Sequence, residues 1–166
     1  MRLQALAGVL DGIRTLIVLD ADGRVIAASS RELLARDLSA GEYFTTASRQ
    51  RDTGKAHLTA PTDGPFGSHT LGLSKAIVGR RGEFAGVVTA VLDADYFTAW
   101  MESVRYAPDT WASLAHGDGK IFLFVPPRPD VAGLDIAQPG SMFSIHRDSG
   151  RQASLLRGVV LATAED

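Results

Sequence analysis

The sequence predicts an α+β fold in which antiparallel sheets are flanked by helices, with a further helix at the N-terminus. Short apolar runs lie on both sides of Asp-Gly pairs, and Asp22-Gly23 recurs as Asp118-Gly119. An Asp-Gly pair accepts the positive φ angles of a tight hairpin, so each pair predicts two antiparallel strands. The nearly all-apolar run 84–92 predicts a central strand covered on both faces.

Composition narrows the class of protein. The 166 residues are 45% hydrophobic and 22% charged, which is typical of a globular protein with a real core. A formal net charge of −2 and scattered basic residues do not fit a nucleic-acid binder, which needs clustered Lys and Arg. The chain contains no cysteine, which excludes disulfides and thiolate metal sites. No apolar run approaches the roughly 20 residues of a membrane span.

The first fifteen residues predict an amphipathic helix. Leu3, Leu6, Leu10 and Ile13 recur at helical spacing and would form one apolar stripe. Because no N-cap residue precedes the stripe, residues 1–15 are interpreted as a truncated stalk helix; a short self-contained helix is the alternative. The stripe is expected to pack on the rest of the chain or on a second copy.

Residues 16–105 predict a first α+β module. Strands are expected at 16–19 and 24–29, a helix around Tyr43-Phe44 capped by Asp37 or Ser39, and a loop at 64–68. Two further strands, 70–78 and 84–92, flank a turn. Asp93 is expected to cap a following helix whose aromatic residues are packing residues.

Residues 106–166 predict a second, partial module. Strands 111–115 and 120–125 flank Asp118-Gly119, and Asp135 to Phe143 echoes Asp37 to Phe44. Two landmarks that recur in the same order favour an internal duplication. Too few residues follow Phe143 to complete a second sheet, so a shortened module or a truncated chain is expected.

These features resemble the Cache family, also called PDC or PAS-like sensor domains, which lie outside the membrane in bacterial histidine kinases, diguanylate cyclases and chemoreceptors. The most specific similarity is the run from Gly82-Glu83-Phe84-Ala85-Gly86-Val87-Val88 to Leu92-Asp93-Ala94-Asp95-Tyr96-Phe97. The resemblance implies a periplasmic or extracellular PAS-like domain of a transmembrane signalling protein, with a double-Cache arrangement and a ligand pocket in the first module. A homodimer through the N-terminal helix is the partner expected if the chain is instead a ligand-free interaction module.

Two positions depart from the family pattern. Gly41 stands where many members carry an arginine that binds a ligand carboxylate, and Val91 stands where amino-acid sensors carry an aspartate. Because unpaired charge is costly to bury, an ordinary amino acid is not the expected ligand. An organic acid or an uncharged metabolite is expected instead.

The predicted ligand-binding residues follow the pocket that the resemblance implies: Tyr43, His57, Thr59, Ser74 and Lys75. Tyr43 offers a ring and a hydroxyl, with a packing role as the alternative. Ser74 and Lys75 alternate on a strand, so only one of them faces the pocket. Lys75 would suit an anionic ligand, while a solvated outer position is the alternative.

No catalytic residue, metal site or cofactor is predicted. The four histidines show no metal-ligand spacing, and neither a nucleophile elbow nor a phosphate-binding glycine pattern occurs. The leading hypothesis is an extracytoplasmic small-molecule sensor. A ligand-free dimerisation module and a small enzyme on the same scaffold are the alternatives.

Overall fold

A five-stranded antiparallel sheet forms the centre of the molecule; its strand order is β2 (Val25–Ala28), β1 (Ile13–Asp20), β7 (Phe84–Leu92), β6 (Gly72–Val78) and β3 (His57–Leu58). The computed structural model describes residues 2–50, 54–156 and 159–162.

The remaining elements lie around this sheet or follow it. They are α1 (Arg2–Ala7), a 3₁₀ turn (Arg31–Leu33), α2 (Glu42–Gln50), β4 (Thr62–Gly64), β5 (Gly67–Thr70), α3 (Ala94–Ser103), β8 (Ala112–Ala115), β9 (Ile121–Val125), α4 (Met142–Asp148), β10 (Ala153–Leu156) and β11 (Val159–Ala162). The pairs β4–β5, β8–β9 and β10–β11 are separate two-stranded sheets. None of the helices in the described ranges is long and apolar enough to cross a membrane.

The predicted α+β fold is confirmed, with β7 at the centre of the main sheet. One face of β7, formed by Val87, Thr89 and Val91, is fully buried. Val88 and Ala90 on the opposite face remain partly exposed, so the expected burial of both faces is wrong for this strand. The buried face packs under α2, where Phe44 and Ala47 join Ile17 and Val87 in the core.

The N-terminal helix is shorter than the sequence pattern predicted. It ends at Ala7, and Ile13 already begins β1, so the four-residue stripe does not lie on one helix. Leu6 and Leu10 remain 48% and 43% exposed. The physical reason is glycine: Gly8 is a poor helix residue, and Gly12 takes a left-handed φ of 77° that turns the chain into β1.

Two other local predictions need correction. The segment predicted as a loop at 64–68 is the tip of the β4–β5 hairpin. Asp37 does not cap α2; its carboxylate accepts the backbone N–H of Ser39 at 3.0 Å in the preceding loop. The predicted cap of α3 is confirmed, because the Asp93 carboxylate accepts the N–H of Asp95 at 3.1 Å.

The two Asp-Gly hairpins have matching backbone contacts. In the first, the N–H of Leu38 donates to Gly23 and the N–H of Val25 donates to Arg36, both at 2.9 Å. In the second, the N–H of Ile136 donates to Gly119 and that of Ile121 to Leu134, again at 2.9 Å. Isolated bridges also correspond, joining Arg24 to Asp37 and Lys120 to Asp135.

The helices that follow the two hairpins begin at Glu42 and Met142. This correspondence places Phe143 opposite Tyr43 rather than opposite Phe44, one position away from the match that the sequence suggested. The repeated contacts favour the duplication. The division of the chain at residue 105 stays a prediction.

Candidate functional site

A cavity of about 430 Å³ opens between the start of α2, the β4–β5 hairpin and the end of β6 that lies beside it. The chain positions three groups of residues around it: the loop that enters α2, the residue after β3, and the hairpin with the segment that follows. The lining residues are Asp37, Leu38, Ala40, Gly41, Glu42, Tyr43, Thr59, Asp63, Gly64, Pro65, Phe66, Thr70, Leu71 and Gly72.

Two aromatic rings form the apolar wall. Tyr43, near the start of α2, contacts Phe66 at the hairpin tip edge to face, with ring centroids 5.5 Å apart and planes at 63°. The guanidinium of Arg14 donates to the backbone carbonyl of Phe66 and ties the hairpin tip to β1. Burial raises the pKa of the Tyr43 phenol, which keeps this group neutral in the wall.

Gly41 makes the position of the Tyr43 ring possible. A Cβ at residue 41 would lie 2.2 Å from Cζ and 2.5 Å from the hydroxyl of Tyr43. The ring therefore covers the Gly41 backbone directly. Any side chain at position 41, including an arginine, is incompatible with this arrangement, which gives the departure at Gly41 a structural reason.

The charged residues that line the cavity are all acidic. Asp37, Glu42 and Asp63 are exposed residues of the lining and define its mouth, whereas Lys, Arg and His are absent from its described lining. Hydrogen bonds from the backbone N–H and the side chain of Ser39 hold the pKa of Asp37 below its usual range. This carboxylate is therefore ionised near neutral pH and contributes negative charge to the mouth, and the nearby charge of Arg24 also favours its ionised form.

Of the five predicted site residues, Tyr43 and Thr59 line the cavity. The Thr59 hydroxyl accepts the N–H of Gly72 at 3.0 Å and lies 3.1 Å from the Gly72 carbonyl, to which it donates. Thr59 is thereby fixed against another residue of the wall. Its hydroxyl has a structural role as well as a place in the lining.

The other three predicted residues do not line this cavity. Ser74 is buried against Thr89, with 2.9 Å between their hydroxyl oxygens. His57 pairs with Ser74 in the sheet, and its buried Nε2 has no hydrogen-bond partner in the described part of the chain. Lys75 is exposed, because strand alternation turns it away from the face that holds Ser74.

Sequence reasoning missed Phe66, Asp63 and Glu42, which complete the cavity. The signal for the hairpin was weak because β4 and β5 are only three and four residues long. Within the described residues, no group of three or more His, Asp or Glu is arranged to hold a metal ion.

Solved structures of known proteins share this fold. No protein-family model matches the sequence, and no curated protein matches it significantly. The extracellular domain rpHK1S-Z16, assigned to a histidine kinase, is 30% identical with a TM-score of 0.72, over 82% of this chain and 56% of that one.

Two more distant structures share the fold. An extracellular ligand-binding receptor from Desulfohalobium retbaense is 18% identical (TM-score 0.68), over 94% of this chain and 28% of its own. The ligand-binding domain of the Pseudomonas aeruginosa chemoreceptor PctB, solved with L-Arg, is 22% identical (TM-score 0.58), over 80% of this chain and 54% of that one. The chain thus spans little more than half of these relatives at most. It has the Cache-type sensor-domain fold, the PAS-like α+β fold of extracellular domains of histidine kinases and chemoreceptors.

Proposed function

We propose that this chain is an extracytoplasmic sensing domain that binds a small molecule in the cavity behind Tyr43 and Phe66. The observation that carries this proposal is a cavity of about 430 Å³, walled by two rings and fixed backbone, on the fold of known sensor domains. Its volume falls within the range of small-molecule sites. The chain would sit on the periplasmic or extracellular side of a transmembrane signalling protein whose output domain is a separate unit.

The charge at the mouth favours a ligand that carries a positive charge. The expectation of an organic acid depended on Lys75 or His57 as the polar anchor, and neither residue lines the cavity. Asp37 and Glu42 would instead attract an ammonium or guanidinium group, and the aromatic wall would stabilise it further.

An amine without an α-carboxylate fits this lining better than an ordinary amino acid. A bound carboxylate needs a cationic or multiple N–H partner when it leaves water. Position 41 supplies no side chain, and Val91 is buried on the inner face of β7. The proposed ligand class is therefore small organic amines.

Thermal denaturation with a panel of small molecules tests this function. A ligand that binds only the native state raises the melting temperature by mass action. We expect primary and quaternary amines to raise it and the matched carboxylic acids to leave it unchanged at equal ionic strength. Stabilisation by carboxylic acids alone would contradict the ligand class, and no stabilisation by any small molecule would contradict the sensing function.

A further inference from the structure

The second hairpin contacts the edge of the main sheet through one histidine. His116, just before the Asp118-Gly119 turn, places Nε2 3.1 Å from the backbone carbonyl oxygen of Leu58 in β3. Because a carbonyl only accepts hydrogen bonds, Nε2 must carry the proton. The side chain of His116 is 20% exposed, and the bond itself lies at the surface of the molecule.

The carbonyl that His116 contacts belongs to the peptide unit that joins Leu58 to Thr59. The N–H of the same unit donates to Gly72 at 2.9 Å, and both Thr59 and Gly72 line the cavity. A trans peptide unit is planar, with N–H and C=O pointing in opposite directions. Movement of Thr59 by an occupant of the cavity therefore displaces the oxygen that His116 holds.

Comparison with the first hairpin shows which contact is specific to His116. Asp20 occupies the corresponding position, and its carboxylate accepts the N–H groups of Asp22 and Arg24 within the turn. His116 keeps the first of these contacts, because its Nδ1 accepts the N–H of Asp118 at 3.3 Å. The imidazole thus supports its own turn with one nitrogen and reaches the first sheet with the other.

Two charged groups of its own hairpin lie near His116. The Asp118 carboxylate lies 2.8 Å from Nδ1, and Lys120 follows in the same turn. Burial opposes ionisation of Asp118, but three factors hold its pKa below the usual range: a hydrogen bond that Nδ1 of His116 donates when both ring nitrogens are protonated, a hydrogen bond from the Lys120 N–H, and the charges of both groups. In either protonation state of the imidazole, Nε2 keeps its proton and its bond to Leu58.

We propose that His116 is a positioning residue that couples the wall of the cavity to the second hairpin through the Leu58–Thr59 peptide. This coupling would carry the occupancy of the cavity to the part of the chain after α3. This inference rests on the proposed function only in taking ligand binding in the cavity as the signal that is transmitted. The mechanical connection holds with the cavity empty.

Two measurements on the ligand-free chain test the connection. In a long-range ¹⁵N NMR spectrum, we expect neutral His116 to carry its proton on Nε2; the Nδ1 tautomer would overturn the proposal. We further expect His116→Leu to speed amide exchange at Thr59 by about two- to tenfold, the effect of one hydrogen bond. His116→Gln, which retains a side-chain N–H donor, should restore most of the protection.

A third measurement tests the coupling itself without a ligand. Thr59→Val keeps the shape of the side chain but removes the hydroxyl that bonds to Gly72. It therefore disturbs the cavity wall without changing the side-chain volume appreciably. We expect the ring resonances of His116 to shift, whereas those of His146, which bonds to Ser154 in the second module, stay unchanged. Unchanged His116 resonances in a folded Thr59→Val variant would overturn the coupling, whatever the outcome of the ligand panel.

Discussion

Gly41 determines where the Tyr43 ring lies. Because a Cβ at residue 41 would meet that ring at 2.2 Å, Gly41→Ala must push Tyr43 out of its place in the cavity wall. We expect a loss of about 1–3 kcal/mol in the free energy of unfolding, typical of overpacking. Amine binding should also weaken. Chemical denaturation and calorimetry check both effects.

The control for this variant is Gly64→Ala. Gly64 also lines the cavity, but a Cβ there has no neighbour within 4 Å. If both variants lost the same stability and affinity, the close contact between Gly41 and Tyr43 would not be the cause.

The hydroxyl groups of Ser74 and Thr89 satisfy each other in the buried sheet, where both residues are at most 1% exposed. Thr89→Val keeps the shape but leaves the Ser74 hydroxyl without this partner, so we expect a loss of about 1–3 kcal/mol. Adding Ser74→Ala should recover part of that loss, giving a coupling energy of at least about 0.5 kcal/mol in a double-mutant cycle. Additive losses in urea denaturation would show that the pair does not act as a unit.

At the scale of elements, strong local patterns predicted the structure well. The apolar run at 84–92 is β7 within the same bounds, and the two Asp-Gly pairs mark the two hairpins. Weak patterns failed for physical reasons. The N-terminal helix was predicted from spacing alone, while Gly8 and Gly12 stop it early. The β4–β5 hairpin is too short for alternation to be recognised, and with it Phe66 and Asp63 were missed.

Only part of the candidate site could be predicted from the sequence. Tyr43 and Thr59, predicted from the resemblance to sensor domains, line the candidate cavity, and their role in binding stays a prediction. The position of Lys75 was left open between the pocket and a solvated outer face, because alternation along β6 does not show which face is inward; the structure has Lys75 exposed. The contact of Tyr43 with Gly41 depends on side-chain packing that no spacing pattern encodes.

Gly119 tests whether the two hairpins belong to separately stable units. It has a φ of 97°, and a Cβ would lie 2.5 Å from that of Ala137. Gly119→Ala should therefore cost about 2 kcal/mol or more locally. We expect faster amide exchange at Ile121 and Ile136, with β7 still protected.

The matched control is Gly117→Ala, since Gly117 has open space around its Cα and no left-handed φ. Equal loss of protection in β7 and in the second hairpin of Gly119→Ala would indicate a single cooperative unit. That result would contradict the predicted boundary at residue 105.

The whole molecule combines a sensor-domain fold with a cavity that has an acidic mouth. Tyr43 and Phe66 close the cavity, and the Leu58–Thr59 peptide connects its wall to the second hairpin through His116. The proposed binding site and the His116 contact with Leu58 therefore lie side by side.

The most direct measurement is calorimetric titration of the best amine from the panel into the wild-type chain, Tyr43→Ala and Lys75→Ala. Tyr43 lines the cavity and Lys75 does not. The account predicts that Tyr43→Ala weakens binding by at least about tenfold, a change of about 1.4 kcal/mol, while Lys75→Ala leaves it unchanged. Affinity that survives Tyr43→Ala and falls with Lys75→Ala would place the site elsewhere and contradict the account.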